Sequence, residues 1–484
     1  MDYRKGVVVA FVIDQENIHD YSAHPYKDYI TKVIFKAKKL PVGLLTHNVR
    51  EFHTKSNDDQ QTEEMECFIE LNALPFTVEK VVLNSNVYQQ LDRVGVLPDR
   101  LKCLSIARYN NDLETGNLPL SLTSFHLGYL SPEFELVGIP PQLEYLSLPL
   151  FSQEDMSVPT MQLGSLNLGY IQNFTILCPL LTNLVSLKIK MLHTRLERGQ
   201  LPLQLTNLRI DFYNFDFEIE VLPESLLYLT LTFYNLSLDI ELPKSLIKFK
   251  SMTYNSVLER DIFPESLQII KIPEYNEFLS IGTIPPNVKR LKMGYASGLD
   301  KNYHRDYNLQ LIIPSITNLS FCCSTAISSL ITIPSSVVKL SLAIDRNFNL
   351  SFLKIPDTVR QLKIRANEMK SIPIPESVCE FTFSIETYPP ISTNSIRKKE
   401  RQSFFQSCTT LIIHTLVDDL ETIHLPPNLK SLVIKKCESK YYKINYIPKT
   451  LTKLNIPSKR LVDKSILKNL SQIQTLIINK KYES

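Results

Sequence analysis

One short motif recurs along most of the chain and constrains its fold more than any other feature. Most copies have a proline preceded by an apolar residue or cysteine, then apolar residues three, six and eight positions later, as in LPESLLYLTL from Leu222. Of the 29 prolines, 17 anchor a copy, three of them (Pro159, Pro179 and Pro314) at an offset from the apolar triplet, and most intervals between anchors are 19 to 23 residues. A register kept this long predicts a stack of similar units rather than separate globular domains. The anchors are Pro75, Pro98, Pro119, Pro140, Pro159, Pro179, Pro202, Pro223, Pro243, Pro264, Pro285, Pro314, Pro334, Pro356, Pro375, Pro426 and Pro448.

The spacing within a copy predicts a short β-strand. Apolar residues six and eight after the proline alternate, so they lie on one face of a strand, while proline suits the corner that leads into it. Such a strand cannot bury its apolar face alone, but turns stacked about 4.8 Å apart pair their strands in parallel around one core. Two further units keep an apolar triplet without proline: Cys408, Leu411 and Ile413, and Leu470, Ile473 and Leu476.

A tyrosine followed by asparagine falls 11 and 12 residues after several anchors. We expect each tyrosine to stack on its equivalent in the next turn, and each asparagine to bond backbone groups left free where the chain leaves the sheet. The pairs are Tyr109-Asn110, Tyr213-Asn214, Tyr234-Asn235, Tyr254-Asn255 and Tyr275-Asn276.

These motifs resemble the FNIP repeat, a relative of the leucine-rich repeat found mostly in social amoebae and in large DNA viruses that infect amoebae. The closest stretches run from Leu222-Pro223 to Tyr234-Asn235 and from Tyr275-Asn276 to Gly282-Thr283-Ile284-Pro285. The resemblance covers about residues 71–480. It implies a β-rich, leucine-rich-repeat-like solenoid of about 19–20 turns forming one curved parallel β-sheet.

The predicted organisation is an N-terminal cap or degenerate repeats over residues 1–70, followed by the solenoid over residues 71–484. Within the first region, Ile30, Val33 and Phe35 fit a degenerate unit, and Leu40-Pro41 can begin another. A cap is expected because a solenoid end exposes an unpaired strand edge. FNIP proteins often carry an N-terminal F-box, but residues 1–70 contain no recognisable leucine-proline-led F-box.

Composition argues against several function classes. Lysine plus arginine total 53 against 50 acidic residues, so overall charge does not indicate nucleic acid or membrane binding. No phosphate-binding glycine loop, HExxH or GxSxG motif occurs, and the eight cysteines include no CxxC pair. We therefore expect no cofactor, no metal site and no enzymatic activity. Scattered cysteines, with no signal peptide or transmembrane segment, predict an intracellular, cytoplasmic protein.

The balanced overall charge conceals a local asymmetry. If residues six and eight after each anchor point inward, residues five, seven and nine point to the opposite, concave face. Across 19 aligned units these positions hold 14 basic residues and two acidic ones, where whole-chain composition predicts about six of each. The densest part of this predicted basic stripe is Lys188, Lys190, Arg209, Lys248, Lys250, Lys271, Arg290 and Lys292.

The sequence therefore predicts a non-enzymatic protein–protein interaction scaffold or recognition protein that holds its partner on the concave sheet face. A protein with an acidic segment is favoured over nucleic acid, because few aromatic residues interleave with the lysines to stack on bases. Two alternatives stay open. The stripe can merely keep an exposed sheet soluble, and the protein can be a ubiquitin-ligase substrate adaptor with an unrecognisable F-box.

The repeat predicts how the chain tolerates deletion. Removing one whole unit, residues 223–242, should leave a folded protein, because the flanking units can stack on each other. Removing half a unit, residues 223–232, should put the core residues out of register and lower the melting temperature much more. Circular dichroism and thermal melting test this, and equal damage from both deletions would contradict the repeat register.

Overall fold

A computed structural model of the protein describes residues 9–54, 67–87, 89–91, 93–109, 118–129, 140–152, 163–175, 177, 182–277, 279–295, 307–323, 330–345, 348–366, 374–385, 407–416, 425–437, 447–458 and 472–478. The chain divides into two compact units, residues 1–234 (unit 1) and 235–484 (unit 2). Both units are built from short strands paired in parallel, which confirms the predicted β-solenoid class.

In the described residues of unit 1, eleven strands pair in parallel, each with the next turn of the chain, in the order β1-β2-β4-β6-β7-β8-β9-β10-β11-β12-β13. Strands β3 and β5 pair separately on the return arm. One α-helix, Ile18–Ala23, and one 3₁₀ helix, Lys27–Tyr29, lie between β1 and β2. The strands are β1 Ala10–Ile13, β2 Lys32–Phe35, β3 Lys39–Leu40, β4 Glu51–Thr54, β5 Phe68–Ile69, β6 Lys80–Val87, β7 Cys103–Tyr109, β8 Ser124–Tyr129, β9 Tyr145–Ser152, β10 Ser165–Ile171, β11 Ser186–Leu192, β12 Asn207–Tyr213 and β13 Tyr228–Phe233.

Unit 2 repeats this arrangement. Its described residues form a parallel series β14-β15-β16-β18-β20-β22-β23-β24-β25-β26-β27 and a small return-arm sheet β17-β19-β21. An α-helix, Leu309–Ile312, and a 3₁₀ helix, Leu350–Phe352, lie on return arms. The strands are β14 Lys248–Lys250, β15 Ile269–Ile272, β16 Arg290–Tyr295, β17 Tyr307–Asn308, β18 Asn318–Cys323, β19 Ile331–Thr332, β20 Lys339–Ile344, β21 Leu353–Lys354, β22 Gln361–Ala366, β23 Glu380–Ile385, β24 Thr410–Leu416, β25 Ser431–Cys437, β26 Lys453–Ile456 and β27 Thr475–Ile478.

The anchor proline begins a tight turn that aims the chain into the strand. The Pro223 carbonyl accepts a hydrogen bond from the N–H of Leu226 at 3.0 Å, and Pro264 and Leu267 repeat the contact at the same distance. Proline costs this turn no hydrogen bond, because the turn uses the proline carbonyl and does not need the N–H that proline lacks. The apolar residue three positions after the anchor is therefore fixed by the backbone of the turn itself.

The predicted apolar triplets form the core. Leu226, Leu229 and Leu231 have no exposed surface, whereas the intervening Thr230 is half-buried. The predicted inward register is thus confirmed in this unit. At strand spacing, each triplet packs on equivalent side chains of the neighbouring turns, so the core is continuous within each unit.

A small hydroxyl residue two positions after the anchor ties adjacent turns together. The hydroxyl of Ser225 donates to the Leu205 carbonyl at 2.7 Å, and that of Ser266 donates to the Leu246 carbonyl at 2.8 Å. Each carbonyl belongs to the first core residue of the preceding turn. The serine in the Pro-x-Ser pattern therefore satisfies a backbone acceptor at a corner where the sheet ladder has not yet begun.

Two pairs of tyrosines and two of the asparagines make the predicted contacts. All five tyrosines are buried. In unit 1 the rings of Tyr213 and Tyr234 stack 6.2 Å apart, and in unit 2 those of Tyr254 and Tyr275 stack 6.3 Å apart. The side-chain oxygen of Asn235 accepts the backbone N–H of Asn255 at 2.7 Å, and Asn255 does the same for Asn276 at 2.6 Å. Asn110 lies outside the described residues.

The N-terminal region joins the same sheet. Ile30, Val33 and Phe35 are buried as a core triplet, with the Lys27 carbonyl in the position of the proline carbonyl. The next turn is anchored at Thr46, whose carbonyl accepts from Val49 at 3.2 Å, rather than at Leu40-Pro41. Polar residues can replace the anchor because the turn needs only a carbonyl. That residues 1–70 act as a cap stays a prediction.

The predicted triplet of the last unit is wrong in register. Pairing of β26 with β27 places Leu476 opposite Leu454 and Ile478 opposite Ile456, so the triplet ends on Leu476 and Ile478 rather than on Ile473 and Leu476. Leu470 lies outside the described residues. The predicted triplet has gaps of three and three residues, whereas Ile473, Leu476 and Ile478 keep the gaps of three and two found in the other units. Leu476 is 47% exposed, because β27 pairs with only one strand in the described part of the chain.

A left-handed backbone position recurs three residues before the anchor. Every described residue with positive φ lies there relative to an anchor carbonyl: Gly43, Asn72, Gly95, Gly199, Glu220, Asp261 and Gly282. Asparagine and the glycines suit this conformation, whereas other side chains are strained in it. The glycine three positions before Pro285 is thus explained by backbone geometry, and Glu220 and Asp261 are tolerated exceptions.

We predict that Gly282→Ala destabilises the protein by about 1–2 kcal/mol. Gly282 has φ +92°, and a Cβ there would meet nothing closer than 3.9 Å, so the cost comes from the backbone rather than from a clash. Gly164→Ala is the matched control, since Gly164 lacks a positive φ and its Cβ would have ordinary contacts. Urea unfolding measures both variants, and equal stability would contradict the assignment of strain.

Candidate functional site

The basic residues identified in the sequence lie on the sheet face that points away from the core, here called the open face. Parallel in-register pairing places equivalent residues of successive turns side by side. The positions five, seven and nine residues after the anchor therefore form three rows that cross the strands, called rows one, two and three. A charge in a row has the equivalent residue of the next turn as its nearest neighbour.

In unit 2, rows one and two contain most of the positive charge. Backbone pairing defines both rows. Row one runs Lys248, Ile269, Arg290, Asn318, Lys339, Gln361 and Glu380. Row two runs Lys250, Lys271, Lys292, Ser320, Ser341, Lys363 and Thr382.

Three lysines in row two form a ladder of like charges. Lys271 is the direct strand partner of both Lys250 and Lys292, which places their Cα atoms about 4.8 Å apart. Among the ion pairs between described residues, none involves Lys271, Arg290 or Lys292, and these three side chains are exposed. Like charges directly opposite each other destabilise a sheet, so this ladder carries an energetic cost.

The N-terminal turns of the open face are organised differently. Lys32 Nζ lies 3.4 Å from Glu51 Oε2, and the same carboxylate oxygen lies 3.1 Å from His53 Nε2. Burial opposes ionisation of Glu51, but the hydrogen bond with His53 and the nearby charges of Lys80 and Lys32 lower the pKa of this carboxyl group. The cations here have an internal counter-ion.

The predicted stripe residues of unit 1 are also engaged by neighbours. Arg209 Nε lies 2.7 Å from Asp211 Oδ1, and the Nζ of Lys190 lies 5.0 Å from the centre of the Tyr170 ring. Lys188 lies opposite Arg209 in row two through backbone pairing of their strands. The structure therefore places Lys188, Lys190 and Arg209 on the open face of unit 1, with internal partners for two of them.

A groove of about 310 Å³ lies on the open face of unit 2. Its lining includes five cations and one carboxylate, Glu380, which already accepts a hydrogen bond from Gln361 Nε2 at 3.1 Å. The cations are Lys271, Arg290, Lys292, Lys339 and Lys363. The groove is consequently a site of concentrated, incompletely neutralised positive charge.

The positive charge influences a neighbouring histidine. The pKa of His414, on β24, is lowered by burial first and then by Lys435 and Lys363. His414 is therefore held neutral at physiological pH, and the cations of the open face are not joined by an imidazolium.

A second polar cluster occupies the open face of unit 1. The Oγ of Ser147 lies 2.8 Å from His126 Nδ1 and accepts a hydrogen bond from Asn167 Nδ2 at 2.7 Å. Ser147 is completely buried, and burial followed by the charge of Lys188 lowers the pKa of His126. Since no substrate can reach a fully buried serine, this cluster ties three strands together.

Lys339 and Lys363 are among the 14 basic residues counted at outward-pointing positions of the sequence, but they lie outside the predicted densest part of the stripe. Sequence reasoning also missed Asn318, Ser320 and Ser341, which lie between the two groups of cations. Alignment by apolar triplets already places these residues at outward positions, but only backbone pairing across the long interval from Pro285 to Pro314 shows that they lie directly beside the cations.

Residues 254–296 match the family model described as FNIP Repeat. No curated protein matches the chain. Among solved structures, the chain is similar to CroV588, described as a novel circular LRR protein, with 17% identity, a TM-score of 0.51 and coverage of 98% of this chain and 80% of that one. YopM from Yersinia enterocolitica WA-314 matches with 15% identity, a TM-score of 0.36 and coverage of 93% and 87%. The chain thus contains an FNIP repeat and has a leucine-rich-repeat-like solenoid fold, and the predicted resemblance is confirmed.

The lysine ladder predicts that Lys271→Gln raises the melting temperature in low salt, because it removes two like-charge contacts. The gain should disappear near about 1 M salt, where the Debye length falls to about 3 Å. Lys354→Gln serves as control, since Lys354 is exposed on a return arm. Thermal melting at both salt concentrations tests this, and a loss of stability in Lys271→Gln would show that the ladder is not repulsive.

Proposed function

We propose that the protein is a non-enzymatic interaction scaffold that holds an acidic segment of a protein partner on the open face of unit 2. The observation that carries the proposal is the ladder Lys250, Lys271 and Lys292, continued by the groove lined by Lys339 and Lys363. Clustered charge of one sign costs stability, and an oppositely charged partner offsets that cost. The leucine-rich-repeat-like fold supports protein binding as the general activity.

A protein partner is favoured over nucleic acid. Rows one and two of unit 2, as far as Glu380 and Thr382, contain no aromatic side chain. Binding of single-stranded nucleic acid relies on aromatic side chains on which bases stack. An acidic peptide needs only charges and hydrogen-bond donors, which both rows supply.

An enzymatic role has no support from the arrangement of side chains. Within the described residues, no group of three or more histidine, cysteine or acidic side chains is placed to hold a metal ion. The groove contains a single carboxylate and no histidine or cysteine among its lining residues. Binding through fixed positive charge is the chemistry that these residues can perform.

The adaptor alternative rests on residues 1–70. The described part of that region forms strands β1 to β5 and one six-residue α-helix. No observation on these residues favours recruitment of a ubiquitin ligase, so the scaffold is the preferred function.

An intracellular, cytoplasmic location is part of the proposal. The described cysteines, among them the buried Cys323 and Cys408, are free thiols, which suits a reducing compartment. In the described parts of the chain, no helix has the length and apolar character needed to cross a membrane.

The proposal is tested with a short fluorescein-labelled peptide rich in aspartate and glutamate. Reversal of Lys250, Lys271 and Lys292 to glutamate should weaken binding by about tenfold or more at low salt, because attraction becomes repulsion. Binding to the natural protein should also weaken as salt increases. Fluorescence anisotropy measures both effects.

The matched control reverses Lys289, Lys354 and Lys449, which are exposed in unit 2 but lie outside the three rows. This variant has the same net charge as the first, so it separates local from overall electrostatics. Equal binding by both variants, or absence of binding by the natural protein at low salt, would contradict the proposal.

A further inference from the structure

The groove in unit 2 has a floor of short polar side chains between two groups of cations. Along row two, Lys292 and Lys363 are separated by Ser320 and Ser341 on the two intervening strands. Three strand spacings place the Cα atoms of the lysines about 14 Å apart. A lysine side chain extends about 6 Å, so both ammonium groups can reach a small ligand held above the serines.

Row one supplies further donors beside this floor. Arg290 and Lys339 flank Asn318 on adjacent strands, and all three residues line the groove. The serine hydroxyls and the Asn318 amide are hydrogen-bond donors, and Ser320 and Ser341 are partly exposed. Donors on four strands thus converge on one small volume.

The number and type of these donors exceed what one carboxylate can use. A carboxylate carries one charge and two oxygens, whereas a phosphoryl group carries up to two charges and three strong acceptor oxygens. Five cations line the groove, and its one carboxylate, Glu380, already accepts a hydrogen bond from Gln361. A tetrahedral dianion matches this charge excess and this set of donors.

We propose that the groove binds a phosphoryl group on a phosphorylated serine or threonine within the acidic segment, an inference that rests on the proposed function. The phosphoryl oxygens accept hydrogen bonds from Ser320 and Ser341, while Lys292 and Lys363 neutralise its charge from opposite sides. The groove shares Lys271 and Lys292 with the lysine ladder. One extended peptide can therefore occupy the groove with its phosphate and the ladder with its flanking acidic residues.

Three fluorescein-labelled peptides with identical acidic flanks test the inference, carrying serine, glutamate or phosphoserine at the centre. Binding of the phosphoserine peptide should be about tenfold tighter than that of the serine peptide, as expected for one or two additional charge-assisted hydrogen bonds. The glutamate peptide should bind with an affinity between the other two, because its carboxylate carries one charge and lacks the third acceptor oxygen of the phosphoryl group. Anisotropy titration at one fixed salt concentration measures all three.

A charge-neutral variant locates the phosphoryl group. Ser320→Val together with Ser341→Val removes the hydroxyls and fills the floor, while valine suits a strand. The variant should reduce the advantage of phosphoserine over serine to about twofold or less and leave binding of the glutamate peptide unchanged. Ser431→Val, in row one on β25 outside the groove, is the control and should retain the full advantage.

The outcomes separate the inference from the proposed function. Equal affinity for the serine and phosphoserine peptides would overturn the phosphoryl site and leave the acidic scaffold standing. Retention of the phosphoserine advantage in the folded double valine variant, judged by its melting curve, would also overturn the site. Failure of all three peptides to bind the natural protein would overturn both proposals.

Discussion

In most described turns, a hydrogen bond from the first core residue back to the carbonyl three positions earlier sets the phase of the turn; at the Pro314 unit this carbonyl belongs to Ile313. In the turn that begins at Pro223, this bond fixes the position of Leu226. That position determines which side chains of the following strand face inward. A slip of one residue would turn Leu229 outward and Thr230 inward. Because the bond needs only a carbonyl, Lys27 and Thr46 can take the place of proline at the N-terminal turns. Proline pre-organises the corner, but the turn itself defines the repeat.

Most of the fold could be predicted because one pattern repeats with the same spacing. The apolar triplets, stacked tyrosines and asparagine ladder all follow from local spacing, and stacking makes local geometry the same as global geometry. Prediction failed where the proline is missing: the predicted triplet that ended on Leu476 begins too early in the chain, and Thr46 gives no sequence signal as an anchor. The role of the serine after the anchor was also missed, because its acceptor belongs to the preceding turn and no single unit reveals it.

The candidate site was harder to predict, because it depends on which turns are neighbours. Counting charges by position identified the basic face, but it could not tell which cations have internal partners. Arg209 has Asp211 beside it, and Lys32 has Glu51, whereas Lys271 and Lys292 form no ion pair with a described residue. Cations at the same position of their repeats, such as Arg209 and Lys271, thus differ in whether an acidic side chain lies beside them. The distinction depends on side-chain contacts between turns, which a single sequence does not specify.

Row spacing has a further consequence for any extended peptide that runs across the strands. Strands recur about every 4.8 Å, whereas an extended peptide advances about 3.4 Å per residue, so the two periods coincide only about once per five strands and seven residues. When one peptide residue is aligned with a strand, the following residues lie progressively further from alignment with the next strands, until alignment returns further along the peptide. Side chains of an extended peptide alternate between two sides, so acidic residues four apart face the same way, advance about 14 Å and stay in step with every third strand. Discrimination between ligands can therefore reside in the spacing of their charges, even on a surface whose lysines are chemically identical.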